Sequence, residues 1–205
     1  MKLYLLLAAL ALPITAAGQR VWVDNGVLVS RMVKSSNWNF CHAPSANYNL
    51  SVSLDVASER FWSGSFELGY ATMGGKDDEI MREDGQVIGD VQRKRYLYFQ
   101  PKLRVTPWRT ERGLSVFAEV GPQLSVLTDG RSFAPVDGVV VDGFRFRRTV
   151  LGARVGVGFA QPLTEHFLIG MRGGYTYHFT RAVTSPVCDL SLSTWSASLS
   201  LGYAF

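Results

Sequence analysis

Charge is scarce in this chain. Asp, Glu, Lys and Arg make up 19% of its 205 residues, against about 25% in ordinary soluble domains. The charge present nearly cancels, leaving a formal +4, and it is scattered. No basic helix or RNA-binding signature occurs, which argues against a nucleic-acid partner. Cysteine and histidine are few, two and three respectively. The nearest approach to a metal set, Cys41, His42, Cys188 and Asp189, lacks ligand spacing, so no metal or other cofactor is expected. The acidic stretch 77–84 lacks the order of a calcium loop and reads as a solvated loop. Periods typical of propellers or solenoids are missing. After residue 18 no apolar run approaches the ~20 residues of a spanning helix. If the mature chain crosses a membrane, it must do so as a closed barrel, the other structure that satisfies every backbone group in lipid.

The first 18 residues read as a secretory signal. Lys2 supplies a positive start, Leu3 to Ile14 an apolar run too short to span, and Ala16-Ala17-Gly18 small residues for a peptidase. Cleavage is expected before Gln19, leaving 19–205 as one barrel domain. The absence of cysteine at the junction argues against a lipoprotein.

What the remainder has in abundance is alternation. Residues of one face repeat every two positions, the period of a strand. Tyr48, Leu50, Val52, Leu54 and Val56 alternate with Asn49, Ser51, Ser53 and Asp55. Trp62, Phe66, Leu68 and Tyr70 alternate with Ser63, Ser65, Glu67 and Gly69. Leu97, Phe99, Leu103 and Val105 oppose Tyr96, Tyr98, Gln100, Lys102 and Arg104. Proline cannot donate to a ladder, so Pro101 predicts a bulge or local break. Leu114 to Val126, Leu151 to Phe159, Phe167 to Phe179 and Ser193 to Phe205 repeat the pattern. The segment from Val21 to Lys34 is less regular. Asp24-Asn25-Gly26 has the composition of a turn, so the first strand is expected to begin only there, with Val27 and Val29 on the apolar face.

These are eight strands, and their connections alternate in length. Those at 57–60, 107–113 and 160–165 are short; those at 35–47, 73–93, 128–147 and 181–192 are long, with Val139–Val141 as a strand extension in the third. Outer-membrane barrels alternate short periplasmic turns with longer extracellular loops in this way. The fold expected is therefore all-β: an eight-stranded antiparallel up-and-down transmembrane β-barrel, apolar face outward, with a polar, filled lumen. Trp62, Phe159, Phe167, Tyr203 and Phe205 would form the periplasmic aromatic rim, and Tyr70, Tyr175, Tyr177, Phe179 and Trp195 the outer one.

With the apolar face outward, the lumen receives Asp55, Glu67, Lys102, Arg104, Glu119, Arg154 and Arg172. An eight-stranded barrel is just wide enough for side chains to fill it. Buried charges need partners, so a salt-bridge network is expected in preference to a wide channel. Cys41 and Cys188 fall in the first and last long loops, which meet at the seam of a closed barrel. Export to an oxidising compartment makes them a candidate disulfide. His178 and Thr180 lie on the lumen register with no acid beside them, and His166 falls at a short turn, so no Ser–His–acid catalytic set is apparent.

Tyr96-Leu97-Tyr98-Phe99-Gln100-Pro101-Lys102-Leu103, Ala118-Glu119-Val120-Gly121-Pro122, the alternating glycines of Gly152–Phe159, Gly173-Gly174-Tyr175 and Leu201-Gly202-Tyr203-Ala204-Phe205 together resemble the PorT-like outer-membrane β-barrel family. The closing Leu201, Tyr203 and Phe205 also resemble the C-terminal assembly signal of bacterial outer-membrane barrels. The resemblance implies an OmpA- or OmpX-type barrel and brings no shared catalytic residues. Some relatives are linked to protein secretion. The function expected is non-enzymatic, structural or recognition through extracellular loops, in a monomer of the bacterial outer membrane. Its partners would be outer-membrane lipid and lipopolysaccharide, and the barrel-assembly machinery during insertion; the extracellular partner is left unnamed. Two other readings stay open: a lipid A-modifying enzyme, and a narrow pore or protein-secretion accessory.

Overall fold

A computed structural model describes residues 20–34, 43–58, 61–76, 80–81, 87–88, 91–129, 145–184 and 189–205. The chain forms a closed antiparallel barrel of eight long strands. These are β1 Arg20–Lys34, β2 Ser45–Ser58, β3 Trp62–Lys76, β4 Val91–Arg109, β5 Ser115–Leu127, β6 Thr149–Pro162, β7 Phe167–His178 and β8 Asp189–Ala204. Each pairs with its sequence neighbour, and β1 pairs with β8 from Arg20↔Ala204 to Lys34↔Leu190. Closure leaves no open edge in the wall, so every strand has ladder partners on both sides. At the long-loop end, Val183–Thr184 pairs with both β8 and Arg145–Phe146, extending the sheet beyond β7. Ile80–Met81 pairs with Val87–Ile88 between β3 and β4.

The two faces follow from the alternation. Val52, Leu68, Phe99, Val120, Val155, Ile169 and Leu199 are exposed on the outside, while Ser53, Glu67, Gln100, Glu119, Arg154, Arg172 and Ser200 are buried inside. An exposed apolar surface wrapping all eight strands is far larger than a water-soluble monomer carries. It is the surface that hydrocarbon solvates. The interior is layered. Trp22, Phe117, Ala160 and Leu168 form an apolar cluster at the short-turn end, with Ala204 packed against it. At the long-loop end a larger cluster includes Met32, Met73, Tyr96, Phe146 and Leu190. The charges lie between the two.

Two expectations need correction and a third is narrowed. Asp24-Asn25-Gly26 is not a turn: all three residues lie within β1, paired with β8 at Ser200, Leu199 and Ser198 and with β2 at Ser51, Leu50 and Asn49. Gly26 is there because the backbones come close; a Cβ on it would stand 2.1 Å from the Ala197 carbonyl oxygen. Of the two outcomes expected at Pro101, the local break is found and the bulge is not. Its pairing with Phe66 on β3 is regular, and the β4–β5 ladder is interrupted beside it without a change of register. The shift comes later, between Val105 and Trp108, and a second lies between Asp55 and Ala57 on β2. The strands also outrun the clean alternation: β3 continues to Lys76, β4 begins at Val91, and β8 begins at Asp189. Beyond the apolar band both faces are wet or covered by neighbouring segments, and the period-2 signal fades while the ladder persists. Val139–Val141 and the signal segment lie outside the described residues.

Candidate functional site

Among the described residues the barrel wall aims eight charged side chains into the lumen: Asp24, Asp55, Glu67 and Glu119 against Lys102, Arg104, Arg154 and Arg172. Four carboxylates face four cations, so the interior is formally neutral. Lys102 Nζ donates to Glu67 and lies 3.6 Å from Glu119. Arg104 bridges Asp55 at 3.3 Å and Glu119 at 3.6 Å. Arg172 Nη1 donates to Asp24 at 2.9 Å and to Ser53 Oγ at 3.3 Å, and Ser200 Oγ donates to the other Asp24 oxygen. Tyr98 donates its hydroxyl to Glu67 at 2.7 Å. Burying ions this way costs least where opposite charge is close: Lys102, Arg104 and Arg172 each have a carboxylate within 4 Å, whereas Arg154 makes no ion pair with a described residue.

Two aromatic side chains close the network on the short-turn side. Trp22 Nε1 donates to Asp55 at 3.0 Å. Its ring lies under Arg172, 5.0 Å from guanidinium carbon to centroid, and Arg104 lies 4.3 Å from the Phe117 ring. Cation–π contact thus ties the charged layer to the apolar one. The rings find room because the facing inward positions are glycine. A Cβ on Gly202 would be 2.6 Å from Trp22, and one on Gly158 2.6 Å from Phe117. Below them, a cavity of about 170 Å³ at the short-turn mouth is lined by Arg20, Arg109, Glu165 and Leu168 among others.

All seven charges expected in the lumen are found there and buried. Asp24, Trp22 and Phe117 were not expected. Asp24 was hidden by its turn-like neighbours. The seven contained three acids and four bases, and that surplus positive charge was itself a signal that a fourth acid had to exist. For the rings, the run of inward glycines on β6, β7 and β8 was the clue, since empty positions in a filled lumen imply large side chains opposite.

Toward the long-loop end sits a polar cluster around His178. Its Nε2 lies 3.4 Å from Ser125 Oγ and 3.5 Å from Gln123 Nε2, and its Nδ1 lies 3.3 Å from the Leu192 carbonyl oxygen. A serine and a histidine therefore meet, but a backbone carbonyl stands where a triad would place a carboxylate. The set is fully buried beneath the larger apolar cluster. Thr180 is not in it; its hydroxyl accepts from the Leu151 amide at 2.7 Å. His166 is exposed at the β6–β7 turn, stacked 5.6 Å from Tyr203.

At the rims, Tyr203 packs edge-on against Phe167 and Phe205, at 5.3 and 5.1 Å, and Tyr175 lies 4.7 Å from Trp195. Leu201, Tyr203 and Phe205 all face outward, Phe205 with 68% of its surface exposed. Cys41, His42 and Cys188 lie outside the described residues; Asp189 is ion-paired with Arg181 at 2.8 Å.

The architecture is shared with solved outer-membrane barrels. OprG from Pseudomonas aeruginosa superposes with a TM-score of 0.58 at 13% identity, over 92% of this chain and 96% of that one. Neisserial surface protein A (NspA) does so with a TM-score of 0.55 at 10% identity, over 91% and 97%. At such identities the likeness establishes the fold alone. No family model matches the chain, and no curated protein matches it.

Proposed function

We propose that this protein is an integral β-barrel of a bacterial outer membrane and works as a sealed, non-catalytic scaffold that presents its long loops outside the cell. The observation that carries the reading is the layered lumen: a charge-neutral network held between two apolar clusters, inside a wall whose outer surface is apolar. A transport path would have to break those ion pairs and move Trp22 or Phe117. Loops on a rigid wall are where binding usually resides. The exposed Leu201, Tyr203 and Phe205 are free to meet the barrel-assembly machinery during insertion. Within the fold, the short motifs around Pro101, Pro122 and Gly173-Gly174-Tyr175 align the chain with PorT-like barrels, without carrying over a role in secretion. The protein is proposed to be a monomer.

The test has three parts. Outer-membrane fractionation with a heat-modifiable gel shift checks the barrel in its membrane; recovery as a soluble periplasmic protein would overturn it. Planar-bilayer recording should show no steady conductance, and a reproducible channel would favour the pore reading. Mass spectra of lipid A with and without the gene should coincide. A mass change of one acyl chain would mark a lipid-modifying enzyme.

A further inference from the structure

The outer wall differs around its circumference. On β4, β5 and β6, small or ring-bound residues replace large ones at one level. Pro101 stands beside Phe66, Pro122 beside Ala153, and the β4–β5 ladder is interrupted there. Leu103 and Val120 flank the level on one side, and the result is an outward-facing apolar furrow of about 660 Å³ reaching Phe179. Directly along the same strands, at the long-loop rim, basic side chains collect. Arg95 is 64% exposed and 3.9 Å from Asp129. Thr128 binds the Arg95 carbonyl, and Leu127 binds the Arg148 carbonyl, so the ends of β4, β5 and β6 sit side by side. Arg147 and Arg148 are exposed there. Arg147 is held to Ala182, next to Arg181. Among the described residues this rim sets Arg95, Arg147, Arg148 and Arg181 against two carboxylates, Asp129 and Asp189.

The spacing between furrow and rim matters. Arg95 and Pro101 lie six positions apart on β4, about 20 Å along a strand. At a barrel tilt of roughly 40° that is about 15 Å of depth, close to the hydrocarbon thickness of one leaflet, half of ~30 Å. A lipid lying here would place its acyl chains in the furrow and its headgroup at the arginines. Arginine pairs with phosphate through two parallel hydrogen bonds, and the four arginines against two carboxylates among the described residues of this rim suit an anionic headgroup. We infer that the β4–β6 face is a docking site for the phosphorylated glycolipid of the outer leaflet, phosphates on Arg95, Arg147 and Arg148, an acyl chain along Pro101, Pro122 and Ala153. The site rests on the outer-membrane reading and adds to it a specific lipid on one side of the barrel.

Native mass spectrometry of the full protein, extracted from outer membranes in mild detergent, tests this. The wild type should retain a glycolipid-sized adduct that survives washing with phosphatidylglycerol micelles. Arg147→Ser/Arg148→Ser should lower the retained fraction about tenfold, and Ala153→Phe, which fills the furrow, should lower it as well. Arg31→Ser, on the β1 face, should leave it unchanged. An adduct identified as phospholipid, equal loss in Arg31→Ser, or no adduct on a heat-modifiable outer-membrane barrel would each overturn the docking site while leaving the barrel reading intact. Absence of the protein from outer membranes would instead strike the parent reading.

Discussion

Asp24 on the first strand and Arg172 on the seventh join across the eighth, 2.9 Å apart and 148 residues distant in sequence. Ser200 of the intervening β8 donates to the same carboxylate. The seam that closes the barrel is thereby pinned from inside by three consecutive strands. Replacing Asp24 by Leu leaves a buried guanidinium without its nearest carboxylate, and such breaks cost about 3–5 kcal/mol. Asp24→Leu should unfold at markedly lower urea in detergent than the wild type, whereas Asp24→Leu/Arg172→Met should recover much of the loss. Equal midpoints for wild type and single mutant would show that the pair contributes nothing.

A second expectation concerns the inward glycines. Gly202→Val pushes a side chain into the Trp22 ring, 2.6 Å from where its Cβ would lie. Overpacking of this kind costs about 1–3 kcal/mol. The heat-modifiable fraction should fall for Gly202→Val and rise again when Trp22→Ala is added. No rescue by the smaller residue would mean that the collision is relieved elsewhere.

The disulfide can be decided chemically. Register Lys34↔Leu190 makes the strands that lead into the first and last long loops neighbours, and a Cys41–Cys188 bond is expected between those loops. Unreduced mature protein should yield no reactive thiol under denaturing conditions. Two thiols per chain would refute the bond.

Phe205 offers a test of assembly separate from stability. It lies beyond β8 with its ring against Tyr203 and most of its surface exposed. Phe205→Asp should therefore leave refolding in detergent nearly unchanged and sharply reduce insertion in cells, read as folded protein per total protein in outer-membrane fractions. If refolding in vitro falls equally, the residue acts through packing and not through recognition by the assembly machinery.

Much of this was legible one strand at a time. Period-2 alternation sorts β2 through β8 into an apolar row and a row holding Asp55, Glu67, Lys102, Arg104, Glu119, Arg154 and Arg172; the charged loops, the aromatic Phe205 and the small, Gly-rich second row put the apolar row outward. Alternation is a local property, since successive side chains leave a strand on opposite sides. β1 is less legible because its signal is local as well: Asp24-Asn25-Gly26 has turn chemistry, and nothing within a few residues shows that Arg172 and Ser200 meet the aspartate. Trp22 and Phe117 escaped for a related reason, as their space is made by Gly202 and Gly158 on other strands.

The sequence by itself therefore determined the class of fold, the sidedness of the wall and the long–short rhythm of its loops, all of which depend on near neighbours along the chain. Only the tertiary structure decided which charge meets which, where the apolar layers seal the lumen, and that arginines and a furrow share the β4–β6 face. Those relations depend on register and closure. They bring together residues more than a hundred positions apart, and no local pattern encodes a distance of that kind.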